Sequence, residues 1–316
     1  MAWLVLDLTG SGAALGTLLM AASLPSIVLA PISGVLADTL NRKKIVVSMD
    51  IIRFPKQQKT SVSSAPRGDF VKNLKGGFLY LWENSGLRVL IACGVILNFL
   101  FNPLFGVVFP FFGKEVLSMT PEYYGFSQSS FPLGMLLGTM LVAFLAQKFT
   151  KISILTGGAT LQGLSVLALG LLALPVVYPQ LSSLGILSAM LAPLLVMGII
   201  SVQVNVQVNV MMQETVPDNY RGRVFALFGS LMQIAAPLGM GFFGILLDVI
   251  PVHFFFLFSG SIAVLVAMVL GTSPSLRRLV QPEQAPGADE RTLLDEHPKV
   301  QQAAAVSEAH SAPANS

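Results

Sequence analysis

Long stretches without a charged side chain alternate along this chain with short clusters of charge. The uncharged stretches run over 8–37, 89–113, 123–147, 152–213, 224–247 and 249–276. A helix needs about 20 mostly apolar residues to cross the hydrocarbon core of a bilayer. Five of these stretches are therefore long enough for one crossing each, and 152–213 is long enough for two. The pattern predicts a polytopic membrane protein.

The predicted spans lie at 13–36, 89–112, 124–146, 153–176, 184–211, 224–247 and 253–272. They are continuously apolar, which favours helices over the alternating ten-residue strands of a membrane barrel. Residues 201–210 alternate strictly between polar and apolar positions, as a strand would. A lone strand in lipid leaves its backbone groups unpaired, so we predict a helix there as well. The expected fold class is an all-α integral membrane protein.

Composition excludes several classes of protein. Of the 316 residues, 53% are apolar and 11% are charged, whereas soluble domains carry about 25% charged residues. Water-soluble enzymes, nucleic-acid binders and secreted disulfide scaffolds are therefore excluded. The single cysteine, Cys93, cannot form an intramolecular disulfide. No nucleotide-binding loop, metal-ligand cluster or nucleophile–base pair stands out, so we expect neither an enzyme nor a cofactor.

Lysine and arginine are concentrated on one side of the predicted spans. Ten lie within 38–88 and six more lie in connections on the same side, whereas the opposite side has only Lys114. Cytoplasmic loops of membrane proteins carry the excess of Lys and Arg. We therefore expect a multi-pass protein of the cytoplasmic membrane, with its C-terminus in the cytoplasm and its N-terminus outside. The first 37 residues contain no Lys or Arg, so we predict a retained helix rather than a signal peptide.

These patterns divide the chain into four regions. Residues 1–53 hold one full span, while 1–8 and 45–54 are apolar but too short to cross. Residues 54–88 are predicted to form a cytoplasmic linker with an amphipathic helix, whose apolar positions at helical spacing are Phe70, Leu74, Phe78, Leu79 and Trp82. Residues 89–272 are predicted to form a six-helix transmembrane bundle. The tail, 273–316, has little apolar patterning and is predicted to be disordered.

One motif lies at the cytoplasmic end of the first span, Gly34-Val-Leu-Ala-Asp38-Thr-Leu-Asn41-Arg42-Lys43-Lys44. It resembles the signature loop of the major facilitator superfamily, although Thr39 and Asn41 replace a basic residue and a glycine. In that family the glycine permits close helix packing and the aspartate latches one conformation through a helix terminus and basic groups. The resemblance implies these roles for Gly34, Asp38, Arg42 and Lys43. The alternative is ordinary helix-end chemistry beside a cytoplasmic loop.

A second motif, Gln213-Glu-Thr-Val-Pro-Asp-Asn-Tyr-Arg221-Gly222-Arg223, resembles the loop after the tenth helix in a drug- and siderophore-exporter branch of the same superfamily. Residues 3–12 resemble the end of that branch's first helix, 50–53 the start of its third and 70–82 its central cytoplasmic loop. The resemblance therefore implies a partial major facilitator fold of about seven transmembrane helices. One N-terminal helix and the C-terminal six-helix bundle are present, whereas most of helix one and helices three to six are absent.

Polar side chains inside the spans are candidates for a substrate path. Gln203 with Gln207, and Asn205 with Asn209, are spaced four residues apart and form two adjacent stripes on one helix. The isolated candidates are Gln233, Asn98 and Asn102. The alternative for all of them is hydrogen bonding between helices, which is common in membranes. No acidic or basic residue falls in the middle of a predicted span, which leaves proton coupling open and permits a neutral, apolar substrate.

These features together predict a secondary active transporter that exports small amphiphilic molecules by alternating access. A truncated, non-transporting remnant with a ligand-binding or structural role is the alternative, and a seven-span receptor is disfavoured because both loop motifs have a transporter explanation. The expected partners are the lipid bilayer and an unidentified small molecule. Proton coupling and pairing into a homodimer are left open, and no nucleic acid is expected.

Overall fold

The structure, a computed structural model, describes residues 2–39, 78 and 80–280, and over 26–39 and at 219 and 280 it describes the backbone alone. This part of the chain is helical and contains no strand. The helices are, in chain order, α1 (Ala2–Thr9), α2 (Gly12–Thr39), α3 (Ser85–Val116), α4 (Pro121–Lys148), α5 (Lys151–Leu172), α6 (Ser183–Thr215), α7 (Asp218–Leu247), α8 (Val252–Thr272) and α9 (Pro274–Val280). A short 3-10 turn, Tyr178–Gln180, lies between α5 and α6.

Six of these helices, α3 to α8, are long and apolar enough to cross a membrane. The prediction of an all-α multi-pass membrane protein is therefore confirmed, and residues 201–210 belong to α6 rather than to a strand. Helix α2 has 28 residues, and its portion Gly12–Pro25 is apolar. Each observed helix starts one to six residues before its predicted span, because helices continue through the charged and polar positions at the membrane surface. The predicted end of the span 153–176 is wrong, because α5 ends at Leu172, four residues earlier.

Helix α3 contains two widened, π-type turns, Leu104–Val108 and Phe112–Val116. Pro103 directly precedes the first of them, and Pro110 lies two residues before the second. A proline has no N–H to donate and its ring crowds the preceding turn, so the regular ladder is interrupted at these places. The helix remains continuous over 32 residues because the widened turns keep most carbonyls paired.

The helices are arranged in a row of neighbours. Helix α6 packs between α4 and α5, α8 packs between α5 and α3, and α7 packs between α3 and α2. The closest approaches occur at glycines, where no side chain separates the backbones. A Cβ on Gly198 of α6 would lie 2.2 Å from the carbonyl oxygen of Phe131 in α4, and a Cβ on Gly16 of α2 would lie 2.7 Å from Cα of Gly244 in α7. Small residues at such contacts are how membrane helices maximise van der Waals packing.

The buried side chains form two clusters at different levels of the bundle. One contains Phe109 and Phe112 of α3, Phe243 of α7 and Phe256 of α8. The other contains Leu90 of α3, Met212 of α6 and Val266 of α8. The first cluster also includes Leu6 of α1 and Leu15 of α2, which are almost completely buried. The N-terminal segment therefore shares a core with the bundle, although the sequence assigned it to a separate region.

Two boundaries of the predicted regions need correction. The segment 273–316 was expected to be disordered from its start, but Pro274–Val280 forms α9 and packs on the beginning of α3, with Leu276 fully buried. Helix α3 starts at Ser85, before the predicted linker ends, and Leu87 is buried. The sequence prediction placed the boundary after Arg88 because this residue is charged. Its guanidinium is exposed, however, and donates to the Trp82 carbonyl at 3.0 Å. Residues 281–316, and most of the predicted amphipathic helix, lie outside the described residues.

Candidate functional site

The two amide stripes of α6 have different surroundings. Gln203 and Gln207 are 1% and 4% exposed. The Nε2 of Gln203 donates to the carbonyl oxygen of Gly138 in α4 at 2.6 Å. A Cβ on Gly138 would lie 2.6 Å from the Ile199 carbonyl oxygen, so the absence of a side chain there lets α4 approach close enough for this bond. The contact is the interhelical hydrogen bond that the sequence offered as the alternative to a substrate path.

The other stripe is open. Asn205 and Asn209 are exposed, and each donates its Nδ2 at 2.8 Å to the carbonyl oxygen four residues earlier, on Ser201 and Asn205 respectively. These bonds occupy one amide hydrogen of each side chain. The row continues one turn further to Gln213, which is also exposed. We call Asn205, Asn209 and Gln213 the exposed amide row.

The row ends at the connection between α6 and α7. An open cavity of about 360 Å³ is lined there by Gln213, Arg221, Gly222 and Phe225. Arg221 donates through Nη2 to the Gln213 carbonyl at 2.9 Å and pairs through Nη1 with Asp218 at 2.7 Å. These contacts hold the Arg221 guanidinium at the mouth of the cavity. A Cβ on Gly222 would meet nothing within 4 Å, so this glycine leaves open space beside the guanidinium.

Aromatic side chains support the same connection. The Tyr220 ring stacks on Tyr80 at 4.9 Å between centroids, and the Arg223 guanidinium lies 5.9 Å from the Tyr220 centroid. Burial raises the pKa of the Tyr80 phenol, so this ring stays neutral over the physiological range. Arg223 therefore contacts the aromatic pair, whereas Arg221 faces the cavity.

The isolated amides do not join this row. Asn98 and Asn102 lie on α3, where Asn102 donates to the Asn98 carbonyl at 3.2 Å and the Asn98 side-chain oxygen is buried without a partner among the described residues. Gln233 is exposed on α7, and within the described chain it makes no hydrogen bond to either of them. Gln213 lines the cavity together with Arg221, whereas Asn205 and Asn209 lie earlier along α6, and Asn98, Asn102 and Gln233 lie on other helices.

The predicted latch motif is described only in part. Gly34 and Asp38 lie in the last turns of α2, whose backbone stays helical to Thr39. Arg42 and Lys43 lie outside the described residues. The contacts implied for these four side chains therefore remain predictions.

Two charged contacts that the sequence did not single out lie at the opposite end of α2. Lys114 of α3 pairs with Asp7 of α1. Asp248, directly after α7, accepts hydrogen bonds from the Ser11 hydroxyl and the Gly12 amide, both at 2.7 Å. Sequence reasoning used Lys114 only as a marker of topology and Asp248 only as the border of an uncharged stretch. The available signal was that each charge borders a long apolar run.

The described residues thus combine six helices long and apolar enough to cross a membrane with a row of exposed amides on one of them. The family model of the Major Facilitator Superfamily matches residues 91–309, more than half of the chain. The chain belongs to this superfamily. Membership places the chain in contact with the lipid bilayer.

Several curated relatives are drug-efflux proteins. The chain is 29% identical over 243 residues to macrolide efflux protein A of Streptococcus pyogenes, an alignment covering 77% of this chain and 56% of the relative. It is 29% identical to macrolide efflux protein A of Enterococcus faecalis, over 64% of this chain and 59% of the relative. It is 26% identical to the multidrug efflux pump Tap of Mycolicibacterium fortuitum, over 64% and 46%. The chain thus spans about half the length of the curated relatives it matches.

Proposed function

We propose that this chain is a secondary active transporter that exports small amphiphilic molecules across the cell membrane by alternating access. The observation that carries the proposal is the exposed amide row of α6, which leads to the cavity beside Arg221. Membership of the major facilitator superfamily and the resemblance to named efflux proteins support the same function.

The exposed amide row suits a substrate path for an energetic reason. Amide groups that face hydrocarbon lose their hydrogen bonds to water, which is costly unless they find partners. Asn205 and Asn209 each donate one amide hydrogen within α6, and their side-chain oxygens accept no hydrogen bond from another described residue. A water-filled passage supplies partners for these oxygens, and so does a polar group on a substrate. The cavity at the end of the row combines Gln213 and Arg221 with the apolar ring of Phe225, which suits an amphiphilic molecule.

Orientation and coupling complete the proposal. The excess of Lys and Arg on one side of the predicted spans supports a cytoplasmic position for Arg221 and the C-terminus. The substrate would enter from the cytoplasmic mouth and leave at the end where Lys114 lies. Proton exchange is the energy source we propose, with Asp38 and Arg42 latching one conformation of the cycle.

Alternating access moves one helical bundle against another, and the described residues form one bundle. We therefore include a pair of chains in the proposal. Helix α4 lies at one end of the row of helices and presents large apolar side chains outward, among them Leu136, Met140 and Phe144. This surface is the one through which we place a second copy in the homodimer.

A membrane remnant that binds ligand without transporting it is the second candidate. It is favoured by the burial of Leu6 and Leu15 in the core of the bundle, which ties the N-terminal segment to the bundle itself. In that case the exposed amide row would still bind a molecule, but no second bundle would move against it.

Efflux of a lipophilic dye from cells that express the chain, measured with and without an uncoupler, tests the proposal. We expect uncoupler-sensitive export that is strongly reduced in the double variant Asn205→Leu/Asn209→Leu and in the double variant Asp38→Asn/Arg42→Ala. The matched control is Ser230→Ala on α7, which is also exposed and whose hydroxyl donates to a carbonyl four residues earlier.

Saturable dye binding by the purified protein separates the two candidates. Binding without export would favour the remnant. Export no greater than in empty cells and no binding, with the protein confirmed in the membrane, would contradict both.

A further inference from the structure

The connection between α1 and α2 is held from two sides by charged groups of the bundle. It consists of Gly10 and Ser11, and Gly10 adopts a positive φ of 62° that ends α1. On one side Asp7 pairs with Lys114 of α3, and on the other side Ser11 and the start of α2 contact Asp248. These two contacts tie the N-terminal segment to α3 and α7 at a single end of the molecule.

Asp248 acts as a cap supplied by another helix. The first N–H groups of a helix have no partner within it. Here the Gly12 amide donates to Asp248 Oδ1 at 2.7 Å, and the Ala13 amide lies 3.3 Å from Oδ2. A carboxylate at a helix N-terminus is favoured both by these bonds and by the positive end of the helix dipole. The carboxylate therefore holds α2 against α7 through charge-assisted bonds.

The N-terminus of α2 remains capped when its hydrogen bonds to Asp248 are broken. The Ser11 hydroxyl accepts from the Ala14 amide at 3.2 Å, so the first turn has a local cap that does not depend on α7. Asp248 is exposed, which means that water can hydrate both its carboxylate and the freed amides. Separation of the two helices therefore exchanges these bonds for hydration without unwinding α2.

The ion pair between Asp7 and Lys114 is accessible to water on its Asp7 side. The Asp7 side chain is 52% exposed, and the Lys114 side chain, 15% exposed, also lies 5.7 Å from the Trp3 ring centroid. The N-terminal segment also makes apolar contacts, because Leu6 and Leu15 are buried in the core and the α2 and α7 backbones approach closely where Gly16 faces Gly244. Asp248 and Lys114 supply the charged contacts at this end.

We propose that Asp248 and Lys114 form a releasable clamp that holds residues 7–13 against α3 and α7 at this end of the bundle. Both contacts must break before α1 and α2 can separate from these helices and open this end. The inference rests on the proposed function, because a clamp of this kind is needed only if the chain alternates between two conformations. It assigns a gating role to two residues at the predicted external end, opposite the predicted latch of Asp38.

Distances between spin labels test the clamp directly. Leu8 and Val249 flank the two contacts and are 78% and 82% exposed, so labels there disturb little packing. The labels are attached to Leu8→Cys and Val249→Cys in a Cys93→Ser background, and the full chain is reconstituted in vesicles. Electron paramagnetic resonance then reports the population of the separated state.

We expect one short-distance population in the parent chain. Asp248→Asn combined with Asp7→Asn should increase the separated population about tenfold or more, because two charge-assisted contacts are lost. Asp7→Lys/Lys114→Asp restores the ion pair with reversed charges, so the separated population in this variant should be close to that of the parent chain. Glu122→Gln, which removes an exposed carboxylate in the first turn of α4, is the matched control and should change nothing.

Unchanged distances in the folded double variant would overturn the clamp. If that variant does not fold, the labelled parent chain at raised ionic strength is measured instead, since salt weakens exposed ion pairs. An increase in the separated population supports the clamp, and no change overturns it. The readout needs no substrate, so a shifted distance without dye export would leave the clamp standing while the proposed transport fails.

Discussion

The two amide stripes of α6 are built from similar residues at the same spacing, yet one is buried in the bundle and the other is exposed. Gln203 and Gln207 face α4 and are buried, whereas Asn205 and Asn209 are exposed. The buried stripe contributes to helix association through the bond from Gln203 to Gly138. Within the described residues, the side-chain oxygens of the exposed stripe accept no hydrogen bond, and neither does the buried Oε1 of Gln203. The comparison teaches that an amide in a membrane helix is a candidate for transport only when its neighbours leave it uncovered.

The packing that buries one stripe can be broken at Gly198. A Cβ there would lie 2.2 Å from the Phe131 carbonyl oxygen, a backbone atom that cannot move aside. We expect Gly198→Val to lower the free energy of unfolding by about 3 kcal/mol. Thermal unfolding in detergent, followed by circular dichroism, measures this. Gly229→Val on α7, where a Cβ meets nothing within 4 Å, is the control; equal losses in the two variants would contradict the close α4–α6 contact.

The buried stripe itself is tested by Gln203→Ala. The substitution removes the bond to the Gly138 carbonyl and leaves a small cavity, so we expect a loss of about 1 kcal/mol. Asn205→Ala, two residues away on the exposed face, should change stability by less than about 0.5 kcal/mol. Unfolding of both variants in mixed detergent micelles compares them. A larger loss for Asn205→Ala would reverse our assignment of the two stripes.

The exposed stripe should affect transport rather than stability. We expect Asn205→Leu/Asn209→Leu to change the free energy of unfolding by less than about 0.5 kcal/mol, because neither side chain bonds to another helix. Dye export should nevertheless fall strongly. Parallel measurement of melting and export in one preparation checks both parts, and a variant that exports normally would remove the row from the substrate path.

Arg221 at the end of the row also has a small expected effect on stability. Its ion pair with Asp218 is exposed, so Arg221→Gln should cost about 0.5 kcal/mol or less, and raised salt should diminish the difference. Melting at low and high ionic strength measures it. A large loss that persists at high salt would mean that Arg221 supports the fold rather than the mouth of the cavity.

The helices were accessible to sequence reasoning because their determinants are local. Continuous apolar runs of the required length predicted α3 to α8, and the helical alternative for 201–210 followed from the need to pair backbone groups in lipid. The start of α3 was placed four residues too late because Arg88 was treated as a boundary, although a long charged side chain at a helix end can reach the surface. Helix α9 was missed because seven residues give too short a pattern, and Leu276 is buried only by packing on α3.

The candidate site was only partly accessible in this way. The spacing of Gln203, Asn205, Gln207 and Asn209 predicted two stripes but not which of them α4 would cover. Arg221 was identified through a family motif, while its position beside Gln213 depends on the turn between α6 and α7. Asp7, Lys114 and Asp248 are far apart in the chain, and no local pattern indicated that they meet at residues 7–13.

The sequence by itself determined that this chain is a helical membrane protein with crossings at set places, because span length and hydrophobicity are properties of each segment alone. It also determined the family, since the motifs that carry the resemblance are local. Only the tertiary structure decided which face of α6 is covered and which carboxylate caps α2. Helical periodicity establishes which residues share a face, but what lies against that face depends on the approach of other helices, here permitted by Gly138, Gly198 and Gly244.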